Sequence, residues 1–184
     1  PLATPLIRQI NFNGHSSTDG ARPPDTHGAV GTTHFVQVTN SHIDMWTRAA
    51  TPPTLAKSVT LATFFGYTTE ALFDPRVVYD STWNRWIVTA DAFAESSTVQ
   101  RFFIAVSTTA DPTGSFFMYN LNVTFFTGDS YDFPQLGIDQ PRPSRVGPRT
   151  RGVDGHPPEA RRHRLVHRVR QRDAAAQRGP AQPH

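Results

Sequence analysis

Five aspartates of this 184-residue chain stand beside proline, glycine or aromatic residues in segments that read as turns: Asp74, Asp80, Asp111, Asp132 and Asp139. Carboxylates at strand ends can supply oxygens to a calcium ion, which takes about six to eight of them. Asp74, Asp80 and Asp139 are the candidate metal ligands, and calcium is the candidate cofactor. The spacing contains no Asp-x-Asp-x-Asp loop of the EF-hand kind. Turn aspartates ordinarily accept backbone N–H bonds, so pinning turns is their simpler role.

Aromatic rings are the second source of binding chemistry, because a flat exposed ring can stack on a sugar. Trp83 falls in a polar turn and reads as exposed, whereas Trp86 alternates with Val88 along a strand and reads as core. Trp83, Arg85 and Tyr131 are therefore the candidate ligand-binding residues. His15, His27, His34 and His42 follow one another at intervals of 12, 7 and 8 residues, which match no compact metal motif. Glycoside hydrolysis needs two carboxyl groups about 5 to 10 Å apart across the sugar, a separation that spacing does not reveal. Arg76, Arg85 and Arg101 are spaced as ordinary strand residues, and there is no Ser-x-Asp-x-Gly-x-x-Trp box, so no catalytic residue is assigned. The sequon Asn122-Val123-Thr124 is given no role. With no cysteine, disulfide, thiol and zinc-knuckle chemistry are excluded.

The elements that must position these residues occupy only part of the chain. Residues 1–140 hold 7 Lys and Arg against 12 Asp and Glu, a net charge of −5, whereas 141–184 hold 11 Arg against 3 acids, a net of +8. Every Phe, Tyr and Trp lies in the first part. The second, with 7 Pro and no aromatic residue, has nothing from which to build a core and reads as a disordered basic tail. Its arginines would attract nucleic acid only nonspecifically, since no aromatic side chains are interleaved for base stacking. No apolar run approaches the roughly 18 residues of a membrane span. The chain opens at Pro1, so an export signal is expected to have been removed or left out.

Residues 1–33 are rich in Gly, Pro, Ser, Thr and Asp and read as an extended lead-in. From His34 apolar and polar residues alternate: 34–38 and 42–46 form a hairpin, 47–57 with Pro52-Pro53 is a loop, and 58–64 is a third strand. Segments 76–79, 85–90, 101–107 and 116–121 are four further strands, joined by a polar turn at Asp80-Ser81-Thr82 and by Asp111-Pro112-Thr113-Gly114. Four consecutive antiparallel strands make one blade-sized unit. No helix is expected before 141. The frame Pro75-Arg76-Val77-Val78-Tyr79-Asp80 returns 59 residues later as Pro134-Gln135-Leu136-Gly137-Ile138-Asp139, a period that suits successive propeller blades. The expected fold is all-β: an incomplete β-propeller over 34–140 between the lead-in and the tail.

Several stretches carry a resemblance. Pro23-Pro24-Asp25-Thr26-His27-Gly28-Ala29-Val30-Gly31, Phe73-Asp74-Pro75-Arg76-Val77-Val78-Tyr79-Asp80, Asn84-Arg85-Trp86 and Tyr131-Asp132-Phe133-Pro134-Gln135-Leu136-Gly137-Ile138-Asp139 resemble, in order, segments of secreted bacterial β-propeller proteins loosely described as sialidase-like. The likeness covers roughly 11–140. It implies a propeller and an extracellular location more than an activity, and brings no catalytic residues; the expected role is binding or scaffolding towards an extracellular glycan or protein, with a sialidase-like glycoside hydrolase fragment as the alternative. Past Asp139 the likeness stops. The Arg, Pro, Gly, Ala and His mixture that follows is what GC-rich DNA yields when read out of register, so a blade-like continuation is expected in another reading frame. A propeller fragment leaves sheet faces and edges open, which lowers its stability.

Overall fold

A computed structural model describes residues 11–16, 20, 22–128 and 130–139, together with the backbone of 165–172. Two antiparallel sheets, each of four strands in sequence order, make up most of it. The first contains β1 (His27–Val30), β2 (His34–Val38), β3 (His42–Thr47) and β4 (Thr54–Thr60); the second contains β5 (Leu72–Asp80), β6 (Arg85–Ser96), β7 (Val99–Ser107) and β8 (Phe116–Asn122). β9 (Ser130–Ile138) pairs antiparallel with β10 (Leu165–Arg172). The all-β class holds, and the four strands read between 76 and 121 are those of the second sheet. The described residues do not close a ring.

The core lies between the two sheets. Period-two alternation puts Val36, Val38, Ile43 and Met45 on one face of the first sheet, and Val77, Trp86, Val88, Ala90, Phe103 and Ala105 on the facing side of the second. Trp86 is 1% exposed, and its indole N–H donates to the Ala110 carbonyl at 2.9 Å, so burial leaves no polar atom of the ring unpaired. Gly31 sits against this ring: a Cβ there would stand 2.5 Å from Trp86 Cζ2. The other face of the first sheet is covered by residues 11–16. Phe12 packs edge-on to Phe35 and tilted on Trp46, with ring centroids 5.9 and 5.1 Å apart, and His15 pairs with buried Asp44 at 2.9 Å.

Four expectations are corrected. The lead-in contributes β1, an added strand of the first sheet, because His27–Val30 pairs along β2. The segment 47–57 is not wholly loop: Pro53 is buried and β4 begins at Thr54. The strand expected at 58–64 stops at Thr60, and a one-turn helix, α1 (Leu61–Phe65), follows. Here the Thr60 hydroxyl accepts from the Thr63 N–H, Gly66 closes the turn at φ 62°, and Leu61 and Phe65, four residues apart, both reach the core. Capping and helical spacing outweigh the β-branched pattern. Within the basic tail, Leu165–Arg172 lies along β9 as β10, where no strand was expected; the rest of 140–184 is outside the described residues.

The first strand of each sheet has a special place. β5 lies against both β1 and β9. At the start of all three the backbone enters the left-handed region, at Asp25 (φ 43°), Asp74 (φ 47°) and Phe133 (φ 60°). The latter two precede the prolines of the repeated frame, so the 59-residue echo is matched by geometry. At the outer edge of the second sheet, β8 is exposed on both faces, with Phe117, Met118, Tyr119 and Leu121 in contact with solvent.

Candidate functional site

The left-handed residues Asp25, Asp74 and Phe133 line one cavity of about 530 Å³, together with Asn40, Phe73, Phe93 and Asp132. Such backbone geometry in non-glycine residues costs on the order of 1 kcal/mol or more each and persists only where surrounding contacts enforce it. The contacts are visible. Asn40, in the β2–β3 turn, donates from Nδ2 to Asp25 Oδ2 at 2.6 Å and to the Pro23 carbonyl at 2.8 Å. Its Oδ1 accepts the Asp74 N–H at 2.8 Å, and Asp74 Oδ2 accepts the Phe133 N–H at 2.8 Å. One chain of hydrogen bonds thus joins the starts of β1, β5 and β9.

Electrostatics here are unusual. Burial, together with a hydrogen bond and repulsion from the Asp132 carboxylate, pushes Asp74 up to about 6, against the lowering effect of the Phe133 N–H. Asp91 on β6 is fully buried, and neither of its oxygens has a hydrogen-bond partner. Burial, reinforced by Asp74 and Asp132 and opposed by Arg76, pushes it up to about 8. Arg76, itself buried, donates to the Pro75 carbonyl and lies 5.1 Å over the Phe133 ring. His27 is held below the usual histidine range by burial and then by Arg76, and its Nδ1 accepts the Val77 N–H at 3.3 Å.

The floor of the cavity is fixed by one buried amide. Gln100, 1% exposed, donates from Nε2 to the carbonyls of Ala92 (3.1 Å) and Tyr131 (2.8 Å), and its Oε1 accepts the Tyr131 N–H at 2.8 Å. The side chain pairs with Tyr131 as a neighbouring strand would, holding β9 to the second sheet.

The residues singled out in the sequence are divided by this geometry. Trp83 is 56% exposed in the β5–β6 turn, where the Arg85 guanidinium donates to the carbonyls of Trp83 and Asn84. Tyr131 is buried at the cavity, beside the other end of β5. Asp80 stands six positions after Asp74 along β5, roughly 20 Å at strand rise, so the proposed ligand set of Trp83, Arg85 and Tyr131 is not brought together. The candidate calcium ligands separate in the same way. Asp74 belongs to the cavity, Asp80 accepts the N–H groups of Thr82 and Trp83 in the turn, and Asp139 is exposed beyond β9. Among the described residues no three His, Cys, Asp or Glu side chains are arranged to hold a metal ion. Asp111 pins its turn by accepting from the N–H and hydroxyl of Thr113. Among the described residues no helix is long and apolar enough to cross a membrane.

Asp25, Asn40, Asp91 and Gln100 were not singled out by sequence reasoning. Asp91 carried a usable signal, an acid amid the apolar run Trp86-Ile87-Val88-Thr89-Ala90-Asp91-Ala92-Phe93. No protein-family model, curated protein or solved structure matches the chain.

Proposed function

We propose that this chain is a non-catalytic, extracellular binding module of β-propeller architecture, whose glycan ligand enters the cavity at the starts of β1, β5 and β9. The observation that carries the reading is the recurrence of a left-handed residue just before β1 and near the starts of β5 and β9, all three lining one cavity. Strained residues of this kind concentrate at binding sites. The propeller part is supported by two four-stranded meanders whose first strands lie side by side with β9, the arrangement of inner strands around a propeller axis. The resemblance to secreted proteins supports an extracellular location.

The Asp74 and Asp132 pair does not have the spacing of glycosidase carboxyls. Asp74 and Asp132 are hydrogen-bonded to each other, closer than the 5 Å or more at which two catalytic carboxyls flank a glycosidic bond. The test is titration of the full chain with a panel of mono- and oligosaccharides, followed by NMR. Binding should perturb the Phe73, Phe93 and Tyr131 resonances and leave Trp83 unmoved. Perturbation centred on Trp83, or turnover of a glycoside, would overturn the reading.

A further inference from the structure

β8 is the outer strand of the second sheet, and among the described residues no strand pairs along its free side. The Val123 N–H donates to the Gln100 carbonyl and the Thr108 N–H to the Ser115 carbonyl, both at 2.9 Å. Bonds in an antiparallel ladder fall on alternate residues, so 115, 117, 119, 121 and 123 bond towards β7, and Phe116, Met118, Asn120 and Asn122 turn their N–H and C=O groups outward. Such a row is a template for another strand, and proteins usually guard it with charge, proline or a bulge. The outer edge of the first sheet is guarded in this way: Pro52-Pro53 precede β4, its register on β3 shifts between Met45 and Trp46, and Lys57 stands in its middle. β8 has none of these devices. Its register on β7 is unbroken, and residues 114–128 contain neither a charge nor a proline.

The strand is also complementary to itself. Antiparallel pairing of two copies about Tyr119 sets Met118 opposite Asn120 and Phe116 opposite Asn122, at the positions whose backbone groups point outward, and sets Phe117 opposite Leu121. Phe117, Tyr119 and Leu121 then meet at the non-hydrogen-bonded sites, where opposed side chains approach most closely. All three are exposed, at 59, 51 and 46%, as are Met118 and, past the strand, Phe125 and Phe126. With aromatic side chains at roughly 150 to 250 Å² each, these six offer on the order of 600 Å² of apolar surface per copy before the backbone is counted, near the ~800 Å² per partner of a stable interface. Elsewhere in 1–140 a net charge of −5 opposes contact between copies, which leaves this uncharged stretch as the place where they can meet. We propose that β8 is a homodimer interface, in which two copies join edge to edge about Tyr119 into one eight-stranded sheet. The twofold uses both free edges, so assembly stops at two.

Sedimentation velocity of the full chain over a concentration series tests this. A reversible monomer–dimer equilibrium in the micromolar range is expected, as for interfaces at the small end of the stable class. It should persist when salt is raised from about 0.15 to about 0.5 M, because the paired strands carry no charge to screen. Tyr119→Lys sets two ammonium groups opposite each other and should weaken dimerisation at least about tenfold. Met118→Pro removes an outward N–H, spares the ladder to β7 and should do the same. The chain has no cysteine, so Tyr119→Cys introduces a lone thiol that meets its copy across the twofold, within disulfide reach. It should cross-link on mild oxidation, whereas Leu121→Cys, whose two copies lie four residues out of register and roughly 13 Å apart, should not. A monomer at all concentrations, a dimer that dissociates in salt as contacts through the basic tail would, or undiminished dimerisation of Tyr119→Lys overturns the proposal. So does equal cross-linking at 119 and 121, or association that grows beyond two.

Discussion

Replacing Asp91 with asparagine should flatten the dependence of stability on pH just above neutrality. Folded, this carboxyl is pushed up to about 8; unfolded, it returns to its ordinary 3.8. The folded state therefore keeps a proton that the unfolded chain has released. The associated stability is complete below pH 3.8 and is lost progressively as pH rises through the folded value. Asp74, raised to about 6, acts in the same sense but is past its midpoint by neutrality. His27, lowered from 6.5, acts oppositely: its stability is present above that value and lost as pH falls. Tyr67, raised to about 12, is silent here. Between pH 6.5 and 8 Asp91 is thus the shifted group that changes charge.

One proton over that window, at about 1.4 kcal/mol per pH unit, amounts to ~2 kcal/mol, a large share of a typical domain's stability. Urea unfolding of the full chain at several pH values across the window, followed by tryptophan fluorescence, reads it directly. The wild-type midpoint should fall with pH, and that of Asp91→Asn should stay level. Wild-type stability that is constant or rising here, or an asparagine variant with the wild-type slope, refutes the reasoning.

Three further outcomes are expected. Gly31→Ala drives a methyl group into the Trp86 ring, 2.5 Å away, and should cost about 1 to 3 kcal/mol in a thermal melt. Gln100→Ala leaves the Ala92 and Tyr131 carbonyls and the Tyr131 N–H without that partner, so it should cost about 2 kcal/mol and speed hydrogen exchange at Tyr131 selectively. Trp83→Ala removes an exposed ring and should change stability by less than about 0.5 kcal/mol; a larger loss in urea unfolding would show that the ring is packed.

Alternating apolar and β-branched residues between turn signals made the second sheet legible, although β6 is buried on both faces from Trp86 to Ala92 and β8 is exposed on both. The same pattern separated buried Trp86 from exposed Trp83, and both stand where it put them. Helix α1 was hidden because the β-branched residues before it continue a strand pattern, and only the Thr60 cap and Gly66 mark the change. The cavity was less legible. Asn40 sits in a Thr-Asn-Ser turn that any polar residues could make, and its importance comes from bonds to Asp25 and Asp74, distant in the chain. Asp74 was singled out for a metal, yet its neighbours are Phe133 and Asp132, 59 and 58 residues further on. Spacing along the chain does not encode such meetings.

The amide of Gln100 has a consequence for how this fold can vary. Junctions between sheets usually spread over many interchangeable apolar contacts, which absorb small shifts. Here one side chain on β7 sets where β9 begins. Inserting a single residue just before Gln100 would turn its side chain to the other face of the strand and unfasten the next one, since side chains alternate with period two. The turn at Ser81–Asn84, solvent-exposed throughout, carries no such duty. Length changes should therefore be accepted at the hairpin tip and rejected at the start of β7.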